Sequence, residues 1–173
     1  PLIRLLTTME KPVICAVNGV AAGAGANIAL ACDIVIAARS ASFIESFSRL
    51  GLIPDSGGTW ILPRLVGMAR ARGLAMLGPK VSAEQAEAWG MIWQVVDDGE
   101  LMATALGLAE QMATQPTRGF AFTKRALAAS AANTLDAQLE LEKELMRAAG
   151  RTHDYQEGVK AFLEKRQPNY KGE

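Results

Sequence analysis

Residues 11–38 read KPVICAVNGVAAGAGANIALACDIVIAA, and the chain is organised around them. Val13-Ile14-Cys15-Ala16-Val17 is a continuous apolar run ended by Asn18-Gly19, the pattern of a strand buried on both faces. Gly23-Ala24-Gly25-Ala26 then opens a helix expected to run to about Ala31, and a second apolar strand follows, ending at Ala38. Strand, turn, small-residue helix and strand make an α/β unit. Glycine puts little bulk in the way of a ligand, and the first-turn N–H groups of a helix lack intrahelical acceptors. Such a helix start is a seat for negative charge. The residues alone leave two readings even: a site for an oxyanion, or close packing of a helix on a sheet. A dinucleotide fingerprint is disfavoured, because the third glycine it needs is Ile28.

Working outward, residues 2–9 look like the end of a helix. The chain opens on Pro1 without an initiator methionine, so upstream sequence is expected to be missing. Residues 41–45 read as a short strand. Gly51-Leu52-Ile53-Pro54-Asp55-Ser56-Gly57-Gly58-Thr59-Trp60 is a second turn into a helix, because Pro54 disfavours helix at Ile53 and Asp55 and Ser56 are good N-cap types. A helix over 60–66 breaks at Gly67, and another over 69–77 stops at Gly78-Pro79. Ser82 and Gln85 form a capping box for a helix that Gly90 closes, and 93–96 is a short strand. From Glu100 the pattern changes. Residues 100–115, 117–132 and 135–149 carry leucine, alanine and methionine at three- and four-residue spacings, and a last helix covers 154–165. The apolar faces of these helices exceed one small core, so some are expected to meet other subunits.

Half of the residues are hydrophobic, enough for a sizeable core. Lys+Arg and Asp+Glu are both 18, so net charge points to no nucleic acid and no anionic membrane. No apolar run reaches the roughly 18–20 residues that span a bilayer. No charged-plus-apolar signal segment opens the chain, and a soluble, cytoplasmic protein is expected. Cys15 and Cys32 lie in apolar runs and read as buried free thiols rather than as a disulfide; they lack paired zinc spacing. His153, the single histidine, reads as exposed near a helix start, and no nucleophile elbow accompanies it. A histidine triad or metal centre is therefore not expected.

Asp55 is the sharpest single candidate. Leu52, Ile53, Pro54 and Trp60 surround it in sequence, and partial burial among them would raise its pKa into a useful range for proton transfer. The competing reading is an N-cap for the helix at Gly57-Gly58. Glu45 could point into the same region, although strand carboxylates usually face solvent. Asn27, in the first turn of the small-residue helix, could hydrogen-bond a ligand or satisfy local backbone. Lys124, Arg125, Lys160, Lys165, Arg166 and Lys171 mark solvated helix faces that also offer donors to a phosphate.

Residues 11–38, then FIESFSRLGLIPDSGGTWILPRLVG, VSAEQAEAWGMIWQVVDD and the terminal YQEGVKAFLEKRQPNYKG, together resemble the enoyl-CoA hydratase/isomerase (crotonase) superfamily along essentially the whole chain. The resemblance implies an α/β fold: residues 1–98 as part of a ββα-spiral core and 99–173 as a C-terminal helical oligomerisation region. It implies acyl-CoA substrates, no cofactor apart from the coenzyme A of the substrate, and no metal. It also implies a homotrimer or dimer of trimers, with a related hydratase as a further partner.

Family members hold the thioester oxygen with two backbone N–H groups, and Ala24 matches the second of them. The first comes from a loop upstream of Pro1, so the whole protein is expected to be about 80–90 residues longer. Hydratases carry two glutamates; the matching positions here are Asn27 and Phe47, and neither can transfer a proton. Asp55 matches the position where several isomerases carry their acid, which turns the balance toward catalysis over capping. IPDSGGTW and WGMIWQVVDD resemble the branch that converts ring-1,2-epoxyphenylacetyl-CoA to oxepin-CoA and shifts a double bond in a later intermediate of phenylacetate degradation. On this reading Phe43, Phe47 and Trp60 line an acyl pocket suited to a ring-derived group. Gly23 and Asn27 contact substrate, and Lys165 and Arg166 reach the CoA phosphates. Two alternatives stand beside it: a fatty-acyl 3-enoyl-CoA to 2-enoyl-CoA isomerase, and a non-catalytic acyl-CoA-binding assembly module.

Overall fold

Glycine, proline and small hydroxyl residues set most of the element boundaries. The computed structural model describes all of residues 1–173. The chain divides into two units: Pro1–Thr7 with Val13–Gly107, and Thr8–Pro12 with Leu108–Glu173.

After helix α1 (Leu2–Thr8), the first unit runs β1 (Ile14–Val17), β2 (Val20–Ala22), α2 (Ala24–Leu30), β3 (Ile34–Ala38) and β4 (Ser42–Ile44). A 3-10 turn at Ser46–Leu50 leads to α3 (Gly58–Leu77), β5 (Lys80–Ser82), α4 (Ala83–Ala88), β6 (Gln94–Val96) and the start of α5 (Leu101–Ala113), which continues into the second unit from Leu108. Two three-stranded sheets result. One is fully parallel in the order β1-β3-β6; in the other β4 lies between β2, parallel to it, and β5, antiparallel.

Strand β3 is central, and Val35, Ile36, Ala37 and Ala38 are all buried. Strand β1 is at an edge of its sheet and buries only Val17, so the expectation of burial on both faces fails for it. The segment read as a turn after Asn18-Gly19 contains the short strand β2, paired Ala21 to Phe43. The expected break at Gly67 is present: φ 77°, ψ 159° interrupts α3. The cap of α4 is present too, with the Gln85 N–H donating to Ser82 Oγ at 3.2 Å. Cys15, on edge strand β1, and Cys32, between α2 and β3, are free thiols and half-buried rather than buried.

The second unit contains α6 (Thr117–Ser130), α7 (Leu135–Ala149) and α8 (His153–Glu164). Thr134 and Thr152 cap α7 and α8 by accepting from Ala137 and Tyr155 N–H groups. The chain end folds back on α8. Buried Asp154 accepts from Lys171 N–H at 2.7 Å and Gly172 N–H at 2.8 Å, while its own N–H donates to the Glu173 carbonyl. Leu135, Leu139 and Met146 on α7, and Phe162 and Leu163 on α8, remain exposed. No helix of the chain is long and apolar enough to cross a membrane.

Candidate active site

The site is built on the turn between Pro54 and Gly58. The Asp55 carbonyl accepts the Gly58 N–H at 2.8 Å, closing a four-residue turn. Its two central residues both have positive φ, Ser56 at 49° and Gly57 at 81°. Glycine adopts that region freely; serine there costs about 1–3 kcal/mol and persists only where its surroundings hold it. A second donor supplies that hold: Asn27 Nδ2 reaches the same Asp55 carbonyl at 3.1 Å.

The Asp55 carboxylate is exposed. The expected partial burial does not occur, because Leu52, Ile53 and Trp60 turn outward at 59%, 80% and 49% exposure. Capping does not occupy it either. Helix α3 is capped by Gly57, with no side-chain hydrogen bond.

Asn27, fully buried on α2, has a second partner. Its Nδ2 also donates to Glu45 Oε2 at 3.4 Å. Of the two readings open for Glu45, a place in the region of Asp55 is the one observed: β4 ends at Ile44 and Glu45 turns inward, leaving it 3% exposed. Burial pushes its carboxyl above the ordinary glutamate range; the Asn27 hydrogen bond offsets part of that rise, and the Asp55 charge adds to it. One oxygen of each side chain, Asn27 Oδ1 and Glu45 Oε1, has no hydrogen-bond partner.

Helix α2 presents its start beside this cluster. Gly23 holds φ 54°, ψ −124°, a conformation essentially reserved for glycine, and its N–H donates to the Ile44 carbonyl at 2.8 Å. The first helical bond is Asn27 N–H to Gly23 O, at 3.2 Å. The N–H groups of Ala24, Gly25 and Ala26 consequently have no intrahelical acceptor. Half-buried Ala24 therefore carries a donor suited to an oxyanion.

The three aromatic candidates separate. Phe47 is buried with its ring edge 3.5 Å from where a Gly23 Cβ would lie. Phe43 belongs to the core of β4, opposite Ala21 and Val81. Trp60 lies on the outer side of α3, beneath the Arg64 guanidinium at 3.9 Å from the ring centroid. The apolar groove of about 160 Å³ beside the Asp55 turn is lined instead by residues including Pro54, Gly58, Thr59, Leu62, Met68 and Met76. The break at Gly67 falls between two of its lining residues, Pro63 and Met68.

Arg166 departs from its expected role. Its Nη1 and Nη2 bind both oxygens of Glu157 at 2.6 and 2.9 Å, and its Nε binds Glu164 at 2.6 Å. The guanidinium is committed to carboxylates, not open to a phosphate. Lys165, at φ 54°, closes α8 in the left-handed conformation and makes no side-chain bond.

A glycine-opened helix start, an acid-bearing turn fastened to it, and strands of this order together invite comparison with known proteins. The family model for enoyl-CoA hydratase/isomerase matches residues 1–173. The chain belongs to that family. It is 63% identical over 172 residues to 1,2-epoxyphenylacetyl-CoA isomerase of Escherichia coli (strain K12), covering 99% of this chain and 66% of that protein. It is 49% identical over 172 residues to a Rhodobacter capsulatus protein named as a probable enoyl-CoA hydratase, covering 99% and 67%. Among solved structures, an enoyl-CoA hydratase from Polaromonas sp. JS666 superposes with a TM-score of 0.94 at 39% identity, over 98% of this chain and 66% of that one. The chain thus spans about two thirds of the length of the relatives it matches. The enoyl-CoA hydratase/isomerase family is one of enzymes, and its fold is the ββα arrangement described above.

Proposed function

We propose that the polypeptide containing this chain is a CoA-thioester isomerase, with Asp55 as its acid/base and the Ala24 N–H as one oxyanion donor. The observation that carries this reading is the join at Asn27: one side chain links the helix with free first-turn N–H groups to the turn that holds Asp55. Enolising a thioester places negative charge on its oxygen, and a backbone donor there is typically worth about 2.7–4 kcal/mol in the transition state. A single exposed carboxylate can then remove a proton from one carbon and return it to another, so no second base is required. Asn27 and Phe47 stand where the family's hydratases carry glutamate, and neither activates water. The residue identities and the 63% identity to the Escherichia coli isomerase favour ring-1,2-epoxyphenylacetyl-CoA as substrate and oxepin-CoA as product, with a double-bond shift as the related activity. The apolar groove along α3, with its two adaptable methionines, supports a fatty-acyl 3-enoyl-CoA substrate as the second reading. Exposed apolar faces on α7 and α8 support assembly into trimers through the helical region.

The test gives the full-length protein the ring epoxide thioester, a 3-enoyl-CoA and a 2-enoyl-CoA in parallel. Isomerisation of either of the first two, reduced about 10²–10⁴-fold by Asp55→Asn, is expected. Rapid hydration of the 2-enoyl thioester, or full activity in Asp55→Asn, would overturn the assignment.

A further inference from the structure

Asn27 is buried completely, so its carboxamide cannot be read simply as a surface for ligand. Its two N–H donors are both committed, one to the Asp55 carbonyl at 3.1 Å and one to Glu45 Oε2 at 3.4 Å. The first of these bonds spans 28 residues of sequence and ends on a carbonyl that also closes the turn through Gly58 N–H. That turn carries Ser56 in a left-handed conformation, which an isolated chain would leave. Gly58 completes the enclosure: a Cβ there would lie 2.3–2.5 Å from the amide nitrogen, carbon and oxygen of Asn27. The carboxamide is thus wedged between Glu45, the Asp55 carbonyl and the Gly58 backbone.

We propose that Asn27 is a positioning residue, which fixes the Asp55 carbonyl and thereby aims the Asp55 carboxylate, rather than a residue that contacts substrate. Glu45 is the second acceptor of the same amide nitrogen, and it restrains the carboxamide together with the Asp55 carbonyl. This rests on the reading of Asp55 as the acid/base. A displacement of about 1 Å in a reacting group can cost about 10²-fold in rate, so a positioning contact at this carbonyl has the leverage the role requires.

The test is a double-mutant cycle in the full-length protein. Asn27→Ala, the near-isosteric Asn27→Asp, Asp55→Asn and the two combinations are assayed on the substrate that the parent isomerises. Amide hydrogen exchange is followed at Ser56, Gly57 and Gly58. Each Asn27 variant is expected to lower kcat about 10-fold or more, hold KM within about threefold, and speed exchange at Gly58. Combined with Asp55→Asn, either is expected to cause no further loss, because both act through one carboxylate. Multiplying losses, an unchanged kcat, or a raised KM at constant kcat would overturn the positioning role while leaving Asp55 in place. An Asp55→Asn protein as active as its parent would instead remove the underlying reading. If Asn27→Ala does not fold, Asn27→Asp decides by the same two measurements.

Discussion

Gly58 lies flat against the carboxamide of Asn27, so close that a methyl group on it would sit 2.3 Å from Nδ2. The neighbour is a fully buried side chain on a helix, with little room to retreat. Gly58→Ala is therefore expected to destabilise the protein by about 1–3 kcal/mol, the usual cost of overpacking. It should also lower the isomerase rate, since the displaced amide loses the Asp55 carbonyl. Thermal melting and initial rates on the same preparation check both.

Gly23 is constrained for a different reason. Its backbone, at φ 54° and ψ −124°, is unsuited to any L side chain, and a Cβ would also meet Ser46 Oγ at 3.3 Å. Gly23→Ala is expected to cost about 1–3 kcal/mol of stability and to rotate the Ala24 N–H away from its present direction. A larger loss of kcat than of thermal stability, relative to Gly58→Ala, would mark the change as one in the oxyanion donor.

Acid should release the chain end before it unfolds α8. Burial alone would raise the Asp154 carboxyl, but hydrogen bonds from the Lys171 and Gly172 amides, with His153 beside it, outweigh that and hold it below the ordinary aspartate range. Because the folded value is depressed, its stabilising contribution is present above the unfolded value of about 3.9 and fades as pH falls through the folded one. Protection from exchange at Lys171 and Gly172, relative to the intrinsic rate at each pH, is expected to fall below about pH 4. Asp154→Ala should give the same loosening at neutral pH, with a loss of about 1–3 kcal/mol.

Cys15 should react as an unusually acidic thiol. The hydrogen bond from Cys32 lowers it to about 7, against the opposing effect of burial. Its alkylation rate is expected to rise with a midpoint near that pH, and Cys32→Ala should move the midpoint up toward about 8.5. An identical profile in the variant would show that the pairing has no influence.

What could be read from the residues followed the range of the interactions. Gly67 and Ser82 act within a few positions of themselves, through one backbone angle and one cap, and both were legible. The three-residue strands β2 and β5 were not, because Val20-Ala21-Ala22 and Lys80-Val81-Ser82 gain strand character from pairing with β4, some 20 and 40 positions away. The same distinction governs the site. Local turn chemistry marked Asp55 only as an acid or a cap, and the helix start only as a possible anion seat; the family resemblance assigned the roles of Asp55 and Ala24. The inward turn of Glu45 and the reach of Asn27 to the Asp55 carbonyl depend on partners 18 and 28 residues apart. Arg166 is the converse case: a basic residue on a solvated face whose partner Glu157 lies nine positions back, with no pattern to announce it.

Strand β4 is three residues long, yet it fastens both halves of the proposed chemistry. Its last carbonyl, on Ile44, receives the Gly23 N–H that sets the start of α2, and the next residue, Glu45, backs Asn27 and so the Asp55 turn. Donor and acid are ganged to a single anchor. A slip of one residue along this strand would carry each by about 3.3 Å and exchange its two faces. Substitutions on β4 therefore tune the two groups only in concert. Independent adjustment, the kind that changes substrate preference without losing the reaction, has to come from side chains off the anchor, at Phe47 and along the α3 groove.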